Sequence, residues 1–176
     1  IFVILTSQSA CGLGYVLSSS YYQLELLSLR EPIHEARLRG TLTRSQLDAL
    51  NTIQSAREYS ATLGFNVSGI YTTVATEWKR EMWNVSACDS LRFEPKKWWF
   101  PVVGSVPYLG FFSEGDAQEF YDELKQDSNL DVHKRRVGAY STLGYFDDPV
   151  LPGMLRWNSN SLLDLVFHEL THATVW

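Results

Sequence analysis

The sequence predicts an α+β protein with helices toward both ends and a β-rich middle. Three observations lead to that class. Apolar residues recur at helical spacing between positions 18 and 63. From position 66 to 112, β-branched and aromatic residues are punctuated by Gly and Pro, as short strands and turns require. The chain then closes on a strongly apolar helical run, SLLDLVFHELTHATVW at 161–176, which carries two histidines and a glutamate.

Taken in order, residues 18–39 place Tyr22, Leu26, Leu29 and Ile33 on one helical face, widened by Tyr21, Leu24 and Leu27. Pro32 is expected to kink this helix or divide it, and Gly40 to end it. Thr43 with Gln46 three residues on forms a capping-box signature. Leu47, Leu50, Ile53, Arg57, Tyr59 and Leu63 come next, before Gly64 stops the helix. Residues 67–74 and 82–85 read as strands, and 91–94 is expected to pair with the second. The aromatic stretch 98–112 reads as short strands and tight turns, filling a core between sheet and helices. Helical spacing returns over 114–124, with Ala117, Phe120, Tyr121 and Leu124. A strand is predicted over 130–137, and an alternating pattern over 138–146 predicts an edge strand of a mixed sheet. Residues 149–155 read as a short helical piece, and Ser161 with Asp164 resembles a capping box for the last helix.

Composition sets bounds on partners. The 176 residues are 45% hydrophobic, enough for one domain with a sizeable core. Fifteen basic against 20 acidic residues give a formal net charge of -5, with no basic block, which argues against nucleic acid. Two cysteines, Cys11 and Cys88, make neither a disulfide framework nor a metal cluster. Cys88 reads as a partly buried thiol. Cys11 comes after the apolar start IFVILTSQSA, a run too short to span a bilayer that looks like the tail of a lipoprotein signal. Residues 1–17 are accordingly read either as a remnant of a signal or lipoprotein segment, with Cys11 as the expected point of membrane attachment, or as a buried N-terminal strand or helix start.

The chemistry concentrates in His168-Glu169-Leu170-Thr171-His172, the HExxH spacing of zinc peptidases. Residues four apart on a helix lie on one face, so both imidazoles can address one tetrahedral zinc. Glu169 can then take a proton from a metal-bound water as general base. His34 and His133 stand alone among charged residues and read as solvent-facing. A catalytic zinc needs a third protein ligand. The extended motif would place Gly at 175, where this chain has Val175, so its version of the third ligand is disfavoured. The ligand is expected C-terminal to residue 176, from a missing segment or a second chain. Residues 18–176 are therefore read as the N-terminal part of a metallopeptidase catalytic domain, and this stretch alone is expected to be inactive.

The chain resembles a family of predicted bacterial zinc-dependent aminopeptidases, gluzincin-like and often carrying a lipoprotein-type N-terminus. The resemblance rests on YYQLELLSLREPI at 21–33, WNVSACDSLRFEP at 83–95, WWFPVVGSVPYLGFF at 98–112, GAYSTLGYFDDPVLPGML at 138–155 and LVFHELTH at 165–172. It implies a zincin-like fold, a peptide substrate, His168 and His172 as zinc ligands, Glu169 as base and a Glu as third ligand. The family's usual His-Glu-Leu-Ala-His appears here with Thr171 in place of Ala. It also implies a place in the bacterial cell envelope, periplasmic or membrane-anchored.

A nearby tyrosine is expected to stabilise the tetrahedral oxyanion, and Tyr108, Tyr140 and Tyr145 are the candidates. Asp147 or Asp148 could hold a substrate's free α-amine, although a turn before Pro149 accounts for them equally well. The 138–146 strand is expected to lay an extended peptide beside the metal. The competing reading is a catalytically inactive metallopeptidase-like binding or structural protein of the envelope. The same ligands also accept Mn²⁺ or Co²⁺.

Overall fold

The computed structural model describes residues 8–101, 104–138 and 147–175. Five helices and three small antiparallel sheets make up the described fold. The first helix, α1 (Gln8–Ser28), starts ten residues before the predicted helix and includes part of the 1–17 stretch. Pro32 does divide the helical run. With no N–H to donate, it sits in the two-residue strand β1 (Glu31–Pro32), and α2 (Ile33–Leu38) restarts immediately after it.

Helix α3 (Arg44–Thr62) is opened by the predicted capping box. Thr43 accepts from the Gln46 backbone N–H, and the Gln46 side chain accepts from the Thr43 N–H. Its inward residues Ala49, Leu50, Ile53, Ala56 and Ser60 are buried at helical spacing. Gly64, at φ 85°, takes the left-handed turn that ends it. From the same helix, Gln54 donates to the Tyr71 carbonyl and Arg57 to the Val67 carbonyl. These bonds hold the 65–72 segment against α3, where a strand was expected. Regular pairing is limited to β2 (Thr73–Val74), antiparallel to β1.

The larger sheet has the order β6-β3-β7 and is antiparallel throughout. Strand β3 (Met82–Asp89) is twice as long as predicted. Its partners are β6 (Tyr108–Phe111) and β7 (Leu130–Val137); residues 91–94 meet only its end, where the Asp89 N–H donates to the Glu94 carbonyl. Those residues form a turn that leaves Leu91 and Phe93 fully in solvent. Strands β4 (Trp98–Phe100) and β5 (Gly104–Val106) make a hairpin of their own. The single mixed sheet expected from the sequence is thus replaced, among the described residues, by separate antiparallel pieces. One isolated parallel bridge, Val74 to Val150, is the exception. Residues 139–146 of the expected edge strand lie outside the described residues.

Two cores result. Period-two alternation directs Val85 and Ala87 of β3 toward α4 (Glu114–Lys125), with Leu109, Phe111, Ala117, Leu124 and Val132. The other core gathers α1 to α3, residues 70–82, Phe112, residues 150–155 and α5 (Ser159–Thr174). Met82 of β3 belongs to this second group. Phe112 lies at the junction, with Tyr22 and Trp78 ring centroids 5.9 and 5.8 Å away.

Tyr15 of α1 anchors that helix to the sheet. Its hydroxyl donates to the Gly110 carbonyl at 3.0 Å and its ring packs on Phe100 and Phe111. Burial raises the phenol's pKa, against a smaller lowering by its hydrogen bond with Ser19. A raised folded-state pKa contributes stability that is complete below the unfolded pKa of about 10 and lost as pH rises through the folded value. Urea unfolding between about pH 9 and 11.5 should show a steeper alkaline loss for the wild type than for Tyr15→Phe. Equal slopes would mean that the phenol ionises freely in the fold.

Candidate active site

Helix α5 is positioned from both ends. Its N-cap is Asn158, whose side chain accepts from the Ser161 backbone N–H at 3.0 Å, so the helix begins two residues before the predicted cap. At the C-terminal end, the Thr174 hydroxyl accepts from the Asn66 backbone N–H at 2.9 Å. Leu162, Val166 and Leu170, one stripe at helical spacing, are fully buried. The helix is not apolar all round, as its composition suggested: Thr171 and His168 are exposed, and Glu169 and His172 are partly exposed. This is the placement a solvent-accessible site needs.

The two histidines converge. Their Nε2 atoms lie 3.1 Å apart, with ring planes nearly perpendicular and centroids 4.7 Å apart. Two nitrogens bound tetrahedrally to one zinc, at about 2.0–2.1 Å each, would be about 3.3 Å apart. The separation is compatible with a shared tetrahedral ion, and equally with a hydrogen bond between the two rings. Among the described residues, no cluster of three or more His, Cys, Asp or Glu side chains comes together.

Glu169 is partly exposed, between exposed His168 and fully buried Leu170. Its Oε2 is buried and has no hydrogen-bond partner. Leaving a carboxylate oxygen in that state costs on the order of 1–3 kcal/mol or more, so a folded protein keeps it only with a compensating use or partner. The core beneath the buried face of α5 holds a residue that the sequence did not mark. Tyr71, 1% exposed, shares the core with Val166 and Leu170. Burial first, then the Glu169 and Asp148 carboxylates, hold its phenol well above the ordinary tyrosine pKa. Read locally, the run Ile70-Tyr71-Thr72-Thr73 signals only a strand, and nothing in it points a hundred residues ahead.

The other predicted site residues are distributed differently. Tyr108 is on β6, paired opposite Ser86 in the sheet that builds the other core, and is half exposed. Tyr140 and Tyr145 lie outside the described residues. Of the two acids considered for α-amine recognition, Asp148 is only 4% exposed, while Asp147 is exposed. The Asp147 carboxylate lies against Gly69, where a Cβ would come within 1.6 Å of Oδ1. His133 is exposed on β7 and His34 on α2, as expected.

A cavity of about 520 Å³ lies elsewhere, lined by residues including Trp78, Arg136, Gly153, Arg156 and Trp157. It meets α5 at its N-terminal approach, the opposite end from the histidines, so it does not include the histidine pair. No described helix is long and apolar enough to cross a membrane.

The described structure is thus a mixed α/β protein with a convergent histidine pair and a semi-buried glutamate on one helix. Comparison with known families places it. The model of the family described as "Putative aminopeptidase" matches residues 14–176, and the chain belongs to that family. No curated protein and no solved structure matches the chain.

Proposed function

We propose that the intact protein is a zinc-dependent aminopeptidase in which His168 and His172 hold the ion and Glu169 is the general base. The observation that carries this reading is the approach of the two Nε2 atoms to 3.1 Å, a separation suited to sharing one tetrahedral ion. Family membership supports the peptidase class. The third ligand, a glutamate by resemblance, comes from outside the described residues.

Zinc, when bound, supplies Lewis acidity, which polarises a carbonyl and makes water acidic at neutral pH. The chain's own residues do the rest. His168 and His172 present neutral nitrogens from one helix face, and the fixed helical spacing sets their separation. Glu169, one residue after the first ligand, accepts the proton of the attacking water and passes it to the departing amine. Asp147, exposed beside Gly69, is the acid left to meet a substrate's α-ammonium. Attachment to the cell envelope through Cys11 remains part of the proposal.

The test is zinc stoichiometry of the intact protein combined with hydrolysis of matched peptides with free and acetylated N-termini. The expected result is about one zinc per chain, cleavage of the free peptide only, and loss of activity on chelation that zinc restores. Cleavage of both peptides alike would leave the metallopeptidase and remove the aminopeptidase. Bound zinc without any cleavage would favour the binding-protein alternative.

A further inference from the structure

The turn after β3 holds its apolar side chains away from the protein. Phe93 is 106% and Leu91 92% exposed, and Trp99, which follows on β4, is largely exposed. One apolar side chain on a surface is ordinary, whereas a tip that displays several marks a place of contact. A slack loop could fold them back, but this one is pinned by its backbone. The Ser90 N–H donates to the Asn129 carbonyl at 2.8 Å, the Lys96 N–H to the Ala87 carbonyl at 2.9 Å and the Asp89 N–H to the Glu94 carbonyl at 3.1 Å. The Asp89 carboxylate accepts from the Leu91 N–H at 2.9 Å. Leu91 and Phe93 therefore stay in water, against the hydrophobic effect.

The same segment is basic. Residues 91–97 carry Arg92, Lys96 and Lys97 against Glu94, all exposed, in a chain whose formal net charge is -5. Glu94 meets Arg92 at 3.9 Å, and among the described residues neither lysine is in an ion pair. Screening confines the reach of a charge to about 8 Å at physiological ionic strength. The unpaired lysines, not the total for the chain, thus set the sign felt by a surface that touches the tip.

This combination selects one class of occupant. A protein partner would bury the tip in an interface core, where lysine is depleted and leucine seldom carries binding energy. A bilayer with anionic headgroups matches what the tip offers. Protruding apolar side chains enter the acyl boundary, tryptophan suits the headgroup level, and cations meet the negative surface. We propose that the 91–99 tip docks the protein on an anionic lipid surface, with Leu91 and Phe93 inserted among the headgroups and Lys96 and Lys97 on lipid phosphates. Docking of this kind needs neither zinc nor an acyl chain at Cys11, so it stands or falls apart from the peptidase reading.

The test is co-sedimentation of the intact protein with vesicles of phosphatidylcholine alone or of equimolar phosphatidylcholine and phosphatidylglycerol. The protein carries Cys11→Ser, so that no acyl chain contributes. It is expected to bind the mixed vesicles, more weakly as salt rises, and phosphatidylcholine alone at least about tenfold less. Lys96→Gln with Lys97→Gln should lower partitioning onto the mixed vesicles by about fivefold for each cation lost. Leu91→Ser with Phe93→Ser should lower it about tenfold or more. Both double variants change side chains that already lie in solvent, so their melting midpoints should match that of the parent protein, which separates lost docking from lost folding. No binding to the mixed vesicles, or binding that both double variants keep, would overturn the inference. Equal binding to both kinds of vesicle would remove the anionic surface and overturn it too. If the protein ignores vesicles but self-associates, and Leu91→Ser with Phe93→Ser abolishes that association, the tip is covered by a second copy and not by lipid.

Discussion

Glu169→Gln should lower peptide hydrolysis by a factor of about 10³ or more while leaving bound zinc at its wild-type level. The two halves of this result separate the roles of adjacent residues. The amide keeps the shape of the carboxylate and can still accept a hydrogen bond at Oε1, but it cannot take a proton at neutral pH. The proposed ligand pair is untouched, since His168 and His172 are fixed by helical spacing and their nitrogens converge without help from Glu169. His168→Ala should give the opposite pattern, with zinc content falling first and activity falling after it. Metal analysis and rates measured on the same preparations read both. If Glu169→Gln lost zinc together with activity, the carboxylate would be acting on the metal site rather than on water. If it retained full activity, the general base would lie elsewhere.

What could be read from the sequence depended on how far each interaction reaches. The Thr43–Gln46 capping box, α4 and β7 were legible because each is encoded within a few residues. The histidine pair was legible for the same reason: one helix and one spacing place both rings. The cap of α5 was misplaced by three residues because Asn158, Ser159, Asn160 and Ser161 all suit that position, and only the Asn158 side chain takes the bond. The partners of β3 were missed because pairing across dozens of residues leaves no local mark. Here the turn at 91–94 carried a strand-like pattern into solvent. Tyr71 was hidden most thoroughly. Its φ, its Gln54 clamp and its place in the core under α5 are all tertiary, and its neighbours Ile70, Thr72 and Thr73 pull a local reading toward a strand.

Leu162→Ala is expected to destabilise the protein by about 2–5 kcal/mol, among the larger costs a single substitution produces. Leu162 is fully buried on α5, in the core that also receives Leu50 and Ile53 of α3. Truncating it removes apolar burial and leaves a cavity that close-packed neighbours fill only in part. For a chain of this size the melting midpoint should drop by roughly 6–15 °C. Leu162→Met, which nearly conserves volume, should cost less than about 1.5 kcal/mol. The deficit also tests how α5 is held. If the helix unfolds only with the whole domain, zinc stabilises the wild type and Leu162→Ala by the same increment, and the gap between them is equal with and without metal. If α5 is free to come away on its own, the truncated protein spends time with its histidine pair disassembled, and its zinc affinity falls as well. The Asn158 cap, the buried Leu162–Val166–Leu170 stripe and the Asn66–Thr174 bond tie the helix at its start, along its length and at its end. Equal gaps are therefore the expected outcome, and a selective loss of zinc affinity in Leu162→Ala would show that those ties do not make α5 part of one cooperative unit.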